Sequence, residues 1–346
     1  MMVLQRVVKE VLLILLSAII IAGCGDFKAG TSGTPDVERE ISYCSLPPDG
    51  ERLEKIIAYF VTTKGIYLYP QTIEIPGGTR EPVKTALEHL IKGPQRDWGK
   101  SVIPEGTKLI SLEISDNCAE VNFSKEFLER PYNLMVLDKL KLQAVHHTLR
   151  EFEDISKVTI LVEGQPYEGD SGFSPWLNSI SEENTNPTPS DDERYFKILI
   201  YLADEGGHLL IPVTRRVDIK GGFDNGRVPL KDLALEAINQ LINGPEESEK
   251  LAPTVPKGVE LRDFYIKDNT AYVDIGKEII IKNINKEINE KLAIESIVYT
   301  LTSLSGIDQV QFLIDGKVMG SISGSVNISK PIKPSKWINL VSPDGL

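Results

Sequence analysis

The sequence predicts an α+β protein: two tandem βαββαβ two-layer sandwich domains placed after an N-terminal signal segment. Three observations lead there: an internal duplication, the same order of strand and helix patterns in each copy, and an apolar run at the start of the chain. In the duplication Ile57-Ala58-Tyr59-Phe60 answers to Leu199-Ile200-Tyr201-Leu202, and Leu68-Tyr69-Pro70 to Leu210-Ile211-Pro212, at an offset of 142. Leu90-Ile91-Lys92-Gly93-Pro94 matches Leu241-Ile242-Asn243-Gly244-Pro245 at 151. From Ile103-Pro104-Glu105-Gly106 against Val255-Pro256-Lys257-Gly258 onward, the offset stays at 152. The rise from 142 to 152 places ten extra residues in the second copy, mostly around Gly221-Gly222-Phe223-Asp224-Asn225-Gly226. A length of 346 residues has room for both copies, and 41% hydrophobic with 25% charged residues supplies packed cores.

The chain opens with residues 1–23, where Arg6 and Lys9 precede an unbroken run of apolar and small residues from Val11 to Gly23. The run falls short of the roughly 20 residues that cross a bilayer, so a cleaved signal peptide fits better than a permanent anchor. It ends in Ile21-Ala22-Gly23-Cys24. That ending resembles the lipobox of bacterial lipoproteins. The resemblance implies that Cys24 becomes the first residue of the mature chain and carries acyl chains at the extracytoplasmic face of the cell membrane. A second acyl chain turns marginal binding into stable anchoring, since each buried methylene contributes about 0.8 kcal/mol. Residues 24–53 are rich in Gly, Ser, Thr, Pro and charges, show no apolar period, and read as a flexible tether that contains Cys44.

Within domain 1, residues 54–165, Ile56 to Val61 is a short β-branched and aromatic run suited to a buried strand. Val83, Ala86, Leu87, Leu90 and Ile91 then recur at helical spacing between Pro82 and Gly93-Pro94, which mark both helix ends. Leu109 to Ser115 and Ala119 to Phe123 form a hairpin around Asp116-Asn117-Cys118. A second helix covers about Val136 to Phe152, and Val158 to Val162 is the closing strand. Domain 2, residues 193–320, repeats each step. Its strand is Ile198 to Leu202, its first helix runs between Pro229 and Gly244-Pro245, and its hairpin turns around Asp268-Asn269-Thr270. A helix over about Asn285 to Leu304 and the strand Val310 to Ile314 complete it. One sheet covered on one face by two helices is the expected arrangement. Residues 166–192, with Asp-Ser-Gly, Asn-Pro and Thr-Pro steps, form the linker, and residues 321–346 the C-terminal tail.

Both copies resemble the GerM domain family of sporulation and germination lipoproteins. The resemblance rests on the aromatic opening strand, the Leu-Tyr-Pro or Leu-Ile-Pro after it, the helix ending in Gly-Pro, and Ile-Pro-Glu-Gly or Val-Pro-Lys-Gly. It continues in Val121-Asn122-Phe123-Ser124 or Val273-Asp274-Ile275-Gly276, in Thr148-Leu149 or Thr300-Leu301, and in the closing Glu163-Gly164 or Asp315-Gly316. It covers roughly residues 54–320, and a tail with Ser329-Lys330-Pro331-Ile332 near Ile338-Asn339 extends it. Copy two departs from the family pattern in Ile275-Gly276 and in its insertion. The resemblance implies a fold like the ring-building motifs of secretion-system rings. It also implies a place between mother cell and forespore, in support of the channel complex that joins them.

A net charge of −12, or −13 once residues 1–23 with their net +1 are removed, disfavours nucleic acid and anionic lipid surfaces as partners. No catalytic, cofactor or metal site is expected. Gly169-Asp170-Ser171-Gly172 matches the nucleophile tetrapeptide of chymotrypsin-like proteases but lies in the linker, without a His and Asp frame. His146 and His147 point about 100° apart on a helix and, with His89, read as packing or solvated side chains; His208 reads as isolated in a turn. Gly206-Gly207 and Gly221-Gly222 lack the spacing of a phosphate cradle and read as turn glycines. Glu105 with Glu120, and Asp263 with Asp274, are carboxylate pairs whose separation, roughly 5 to 9.5 Å in a glycosidase, is not fixed by sequence.

Two outcomes stand open for Cys44 and Cys118: a disulfide tying the tether to domain 1, or two free thiols. The expected function is a non-catalytic interaction and assembly module, whose unpaired sheet edges offer backbone hydrogen bonds to envelope proteins or to further copies of the chain. The alternative is an envelope sensory or ligand-binding lipoprotein associated with a signalling protein. A wall hydrolase is a third reading, with no residue frame behind it.

Overall fold

The computed structural model describes residues 53–129, 138–167, 196–217, 228–280 and 289–341, all within one compact unit, Pro47–Leu346. Cys24, Cys44, the Gly169-Asp170-Ser171-Gly172 tetrapeptide and Gly221-Gly222 lie outside the described residues. In domain 1, β1 (Leu53–Thr62) and β2 (Leu68–Pro76) are followed by α1 (Pro82–Lys92), the short β3 (Gly99–Lys100), β4 (Leu109–Ser115) and β5 (Cys118–Phe123). Helix α2 (Asp138–Arg150), β6 (Lys157–Val162) and the short β7 (Gln165–Pro166) complete it. Domain 2 runs β8 (Phe196–Asp204), β9 (Leu210–Val217), α3 (Leu230–Asn243), β10 (Leu251–Ala252), β11 (Leu261–Lys267), β12 (Thr270–Ile275), α4 (Glu290–Thr302) and β13 (Gln309–Ile314). The strands β4, β5 and β6 and the helix α2 each recur 152 residues later with the same bounds, so the α+β class and the tandem duplication are those read from the sequence.

Two details differ from the expected βαββαβ sandwich. Each copy has an additional strand, β2 or β9, and the strands divide into two sheets per copy instead of one. The orders are β2-β1-β3 and β4-β5-β6-β7 in domain 1, and β10-β8-β9 and β11-β12-β13 in domain 2. A helix side chain meets the first sheet of each copy. Thr148 Oγ1 on α2 accepts a hydrogen bond from Tyr59 N–H at 3.0 Å, and Thr300 Oγ1 on α4 accepts from Tyr201 N–H at 3.0 Å. A helix hydroxyl thus satisfies a strand amide in both copies, which gives the repeated Thr-Leu its physical meaning. Both threonines are fully buried. Thr148→Val or Thr300→Val keeps the volume and removes the acceptor, so each is expected to cost about 1–3 kcal/mol in urea denaturation. A cost below about 0.5 kcal/mol would mean the amide finds another acceptor.

The remaining repeat motifs are turn locks. Asp116-Asn117 (φ 49° and 61°) and Asp268-Asn269 (φ 49° and 55°) make two-residue left-handed turns, a conformation Asx residues tolerate. Cys118 and Thr270 therefore open β5 and β12 rather than sitting in the turns. Asn122 Oδ1 accepts from Gly164 N–H at 3.0 Å, and Asp274 Oδ1 from Gly316 N–H at 2.9 Å, so the strand-end Asn or Asp holds the closing Glu-Gly or Asp-Gly. Glu163 Oε1 returns the contact by accepting from Lys125 N–H at 2.9 Å. Helix α1 begins at Pro82 and stops at Gly93 with φ 99°, while α3 stops at Gly244 with φ 74°, as the Pro and Gly punctuation predicts.

Side chains from both copies join one apolar core. Phe60, Tyr69, Leu87, Leu90, Phe123 and Phe127 fill domain 1, and Ile200, Leu241, Val273, Leu301 and Phe312 fill domain 2. Phe123 and Phe127 stack with centroids 4.5 Å apart. Lys141 is buried beside them: its Nζ donates to Phe127 O at 2.6 Å and lies 4.6 Å from the Phe127 ring centroid, so hydrogen bonding and the aromatic face compensate for lost hydration.

Candidate functional site

A sheet edge that meets no other strand is the part of this fold equipped to bind another chain. Within the described residues most edges are occupied. The tail reaches the edge of β13, where Val310 N–H donates to Ile332 O at 2.9 Å and Ile332 N–H to Val310 O at 2.8 Å. It then runs to β2 and β9. Thr72 N–H and Oγ1–H both donate to Ile338 O, at 3.1 and 2.6 Å. Asn339 Nδ2 donates to Pro70 O at 2.8 Å and to Leu210 O at 2.9 Å, while its Oδ1 accepts from Leu210 N–H at 2.8 Å. One asparagine side chain thereby bridges the two domains.

Among the described residues, the long terminal strands with no strand or tail segment paired to their outer side are β4 and β11. Strand β4 carries Ile110 and Ile114, which are 50% and 46% exposed; β11 carries Tyr265, 41% exposed and stacked on Tyr272 at 4.5 Å. Charged residues accompany them: Glu113 opposite Glu120, and Asp263 opposite Asp274. Glu120 thus faces Glu113 rather than Glu105, which is exposed ahead of β4, while Asp274 Oδ1 accepts from Gly316 N–H and Asp263 Oδ1 from Phe264 N–H at 2.8 Å.

The seam between the domains brings equivalent residues together. Ile57 and Leu199, Tyr59 and Tyr201, and Pro70 and Pro212 line one cavity of about 220 Å³. A second cavity, of about 310 Å³, is lined by residues that include Lys64, Tyr67, Asp97, Trp98, His208 and Lys250. His208 is not isolated, as its turn suggested: its ring stacks on Trp98 of domain 1 at 4.8 Å, and its Nδ1 lies 3.5 Å from Asp204. Arg215 and Glu249 form a buried two-point ion pair at 2.6 Å. Burial, then the Glu249 charge, pushes the Tyr67 hydroxyl up to about 12, with Arg215 opposing.

The other sequence candidates serve the fold. His147 is buried and stacks on Tyr59 at 4.9 Å, with His146 edge-on at 6.1 Å. His89 is half-buried, and burial lowers its pKa, helped by Lys92. Gly206-Gly207 is a turn in which Gly206 N–H donates to Asp204 Oδ2 at 3.1 Å. Cys118 Sγ lies 3.8 Å from Thr159 Oγ1 at the start of β5.

The tail motif at Ile338-Asn339 is visible in the sequence, but the bridging role of Asn339 and the site of Glu290 are not. Glu290, at the first turn of α4, is 3% exposed and accepts from Ile322, Ser323 and Ser325 N–H and from Ser323 Oγ–H, between 2.7 and 3.1 Å. Burial alone would raise its pKa, yet the Ser323 hydroxyl and the three amides together hold it below the ordinary carboxylate value. An acid in the first turn of a helix was the only local signal for it.

Comparison with known proteins gives the pattern a context. A family model described as Germane, sporulation and spore germination, matches residues 57–168 and 199–320. The chain is 26% identical over 301 residues to the spore germination protein GerM of Bacillus subtilis (strain 168), which covers 81% of this chain and 77% of that protein. Its fold is similar to the tandem GerMN domains of the sporulation protein GerM from Bacillus subtilis, with a TM-score of 0.61, 25% identity, and coverage of 84% of this chain and 100% of that one. The matched stretches coincide with the two copies and make up more than half of the sequence, so this chain belongs to the Germane family of sporulation and spore germination domains.

Proposed function

We propose that this protein is a non-catalytic, lipid-anchored assembly module of sporulation and spore germination. It is tethered through Cys24 at the extracytoplasmic face of the cell membrane and docks envelope proteins that support the mother cell–forespore channel. Membership of the family and the likeness to GerM support the sporulation-related role. The observation that carries the assembly reading is the pair of equivalent edges, β4 and β11, unpaired on their outer side among the described residues, with Ile110, Ile114 and Tyr265 exposed along them. Backbone groups along such an edge give affinity to an added strand, and exposed apolar side chains give it selectivity.

The test is Ile110→Lys with Ile114→Lys on β4 and, separately, Tyr265→Lys on β11, in sporulating cells. Surface changes of this kind leave the fold within about 0.5 kcal/mol. Recovery of crosslinked envelope partners is expected to fall about tenfold, the effect of about 1.4 kcal/mol of lost binding. Full recovery and unchanged spore yield with both variants would reject the assembly reading. The 310 Å³ seam cavity favours a second reading, a sensory or ligand-binding lipoprotein, in which a small molecule shifts how the two domains meet.

A further inference from the structure

The two seam cavities are built from equivalent positions of the two copies, and they have diverged to different degrees. In the smaller one the pairs are alike: Ile57 with Leu199, Tyr59 with Tyr201, Pro70 with Pro212. In the larger one Thr63 answers to Glu205 and Ile66 to His208 at the offset of 142, and Trp98 to Lys250 at 152. Each of these pairs differs in charge or aromatic character, although the short strands beside them, β3 and β10, recur. Room for the change is visible at Gly206, where a Cβ would collide with the His208 imidazole that lies flat on Trp98. Most charges around this cavity are engaged. Lys64 pairs with Glu205 at 3.8 Å, and Asp204 accepts from the Gly206, His208 and Leu209 amides. Glu249, the counterpart of Asp97, is held by Arg215. Asp97 and Lys250 line the cavity, are exposed, and form no ion pair among the described residues.

We propose that this cavity binds a free α-amino acid with an apolar side chain. The proposal rests on the ligand-binding reading above and names the class of ligand. Asp97 takes the ammonium group and Lys250 the carboxylate, while Trp98 and the exposed Ile66 cover the apolar side chain. One unpaired charge of each sign selects a zwitterion, since a simple amine leaves Lys250 unmatched and a simple carboxylate leaves Asp97 unmatched. The volume, about 310 Å³, is at the small end of ligand pockets and suits one such molecule. Asp97 and Trp98 belong to domain 1 and Lys250 to domain 2, so the bound amino acid bridges the seam.

Isothermal titration of the full chain in detergent tests this with L-leucine and L-phenylalanine, beside isopentylamine, which lacks the carboxylate, and 4-methylpentanoate, which lacks the amine. Each analogue is expected to bind about tenfold more weakly than leucine. Asp97→Asn and Lys250→Met change exposed side chains, and an unchanged urea midpoint shows that each variant is folded. Both are expected to weaken leucine binding about tenfold, and each to lose one discrimination: Lys250→Met against isopentylamine, Asp97→Asn against 4-methylpentanoate. An analogue that binds the unaltered protein as well as leucine does would overturn the proposal, and so would leucine binding that neither variant weakens. Absence of binding by both amino acids up to about 10 mM, a concentration at which even weak complexes form, overturns it as well. In that case N-acetylglucosamine and the two analogues separate the readings: binding of any of them keeps the cavity as a site for another class of ligand, and silence of all three removes the ligand-binding reading too.

Discussion

A chain ended at Gly320 is expected to lose on the order of 5 kcal/mol of stability and to unfold in two steps rather than one. The segment removed buries Ile322, Ile328, Ile338 and Val341, all 7% exposed or less. At about 1.5–3 kcal/mol each, their burial is the largest favourable contribution the cut removes. The cut also deprives Glu290 of all four donors in a site where it is only 3% exposed. A finer variant separates the seam from the rest: Asn339→Ala removes three hydrogen bonds, one to domain 1 and two to domain 2, and is expected to cost about 2–3 kcal/mol. Urea titration followed by tryptophan fluorescence, with Trp98 at the seam, reads both. A single transition of unchanged midpoint in the shortened chain would show that the domains hold each other without the strap. The Glu290 part has a pH signature. Because its folded pKa is depressed, its contribution is complete above the unfolded value of about 4.5 and disappears as pH falls through the folded one.

Acid has a second and larger target in His147. Burial first, then His146 and Arg150, lowers its pKa from 6.5 to about 3. The unfolded chain takes up the proton near pH 6.5 and the folded one only near 3, so stability falls as pH drops through that window. Between pH 6.5 and 4.5 the loss through this one residue is expected to be about 2 kcal/mol. His147→Tyr introduces the residue found at the equivalent place in copy two, Tyr299, and is expected to flatten this limb while leaving the neutral-pH midpoint nearly unchanged. Urea midpoints at pH 7 and pH 5 for both proteins decide it: equal acid sensitivity would acquit His147.

Much of this architecture is legible in the sequence because it is locally encoded. Pro82 and Gly93, or Pro229 and Gly244, bound helices through their own backbone chemistry, and the Asx turns announce the hairpins. The turn signal extends one residue too far, since Cys118 and Thr270, which open β5 and β12, have no strong preference that separates turn from strand. Strand β2 escaped notice for a different reason. Pro70-Gln71-Thr72 interrupts any alternation, and the strand is buried on both faces because the seam covers the side that would otherwise be solvated. Which edges stay free depended on the tail, whose contacts with β13, β2 and β9 leave no periodic trace. Glu290 shows the same limit: its four donors lie 32 to 35 residues away, so only the folded chain reveals that the carboxylate is caged.

The bridge through Asn339 also orders events in time. Thr72 waits for Ile338, 266 positions further along, and Pro70 waits for Asn339, 269 positions on. At about 5–20 residues per second, synthesis of that interval takes about 13 s or longer. Throughout it the hairpin of domain 1 can form but lacks the hydrogen bonds that the tail adds along β2, a long-range closure being the slowest kind of contact to make. Seam closure is therefore a final kinetic step for each newly made molecule, and the number of half-closed chains at any moment follows the rate of production rather than the strength of the finished contacts.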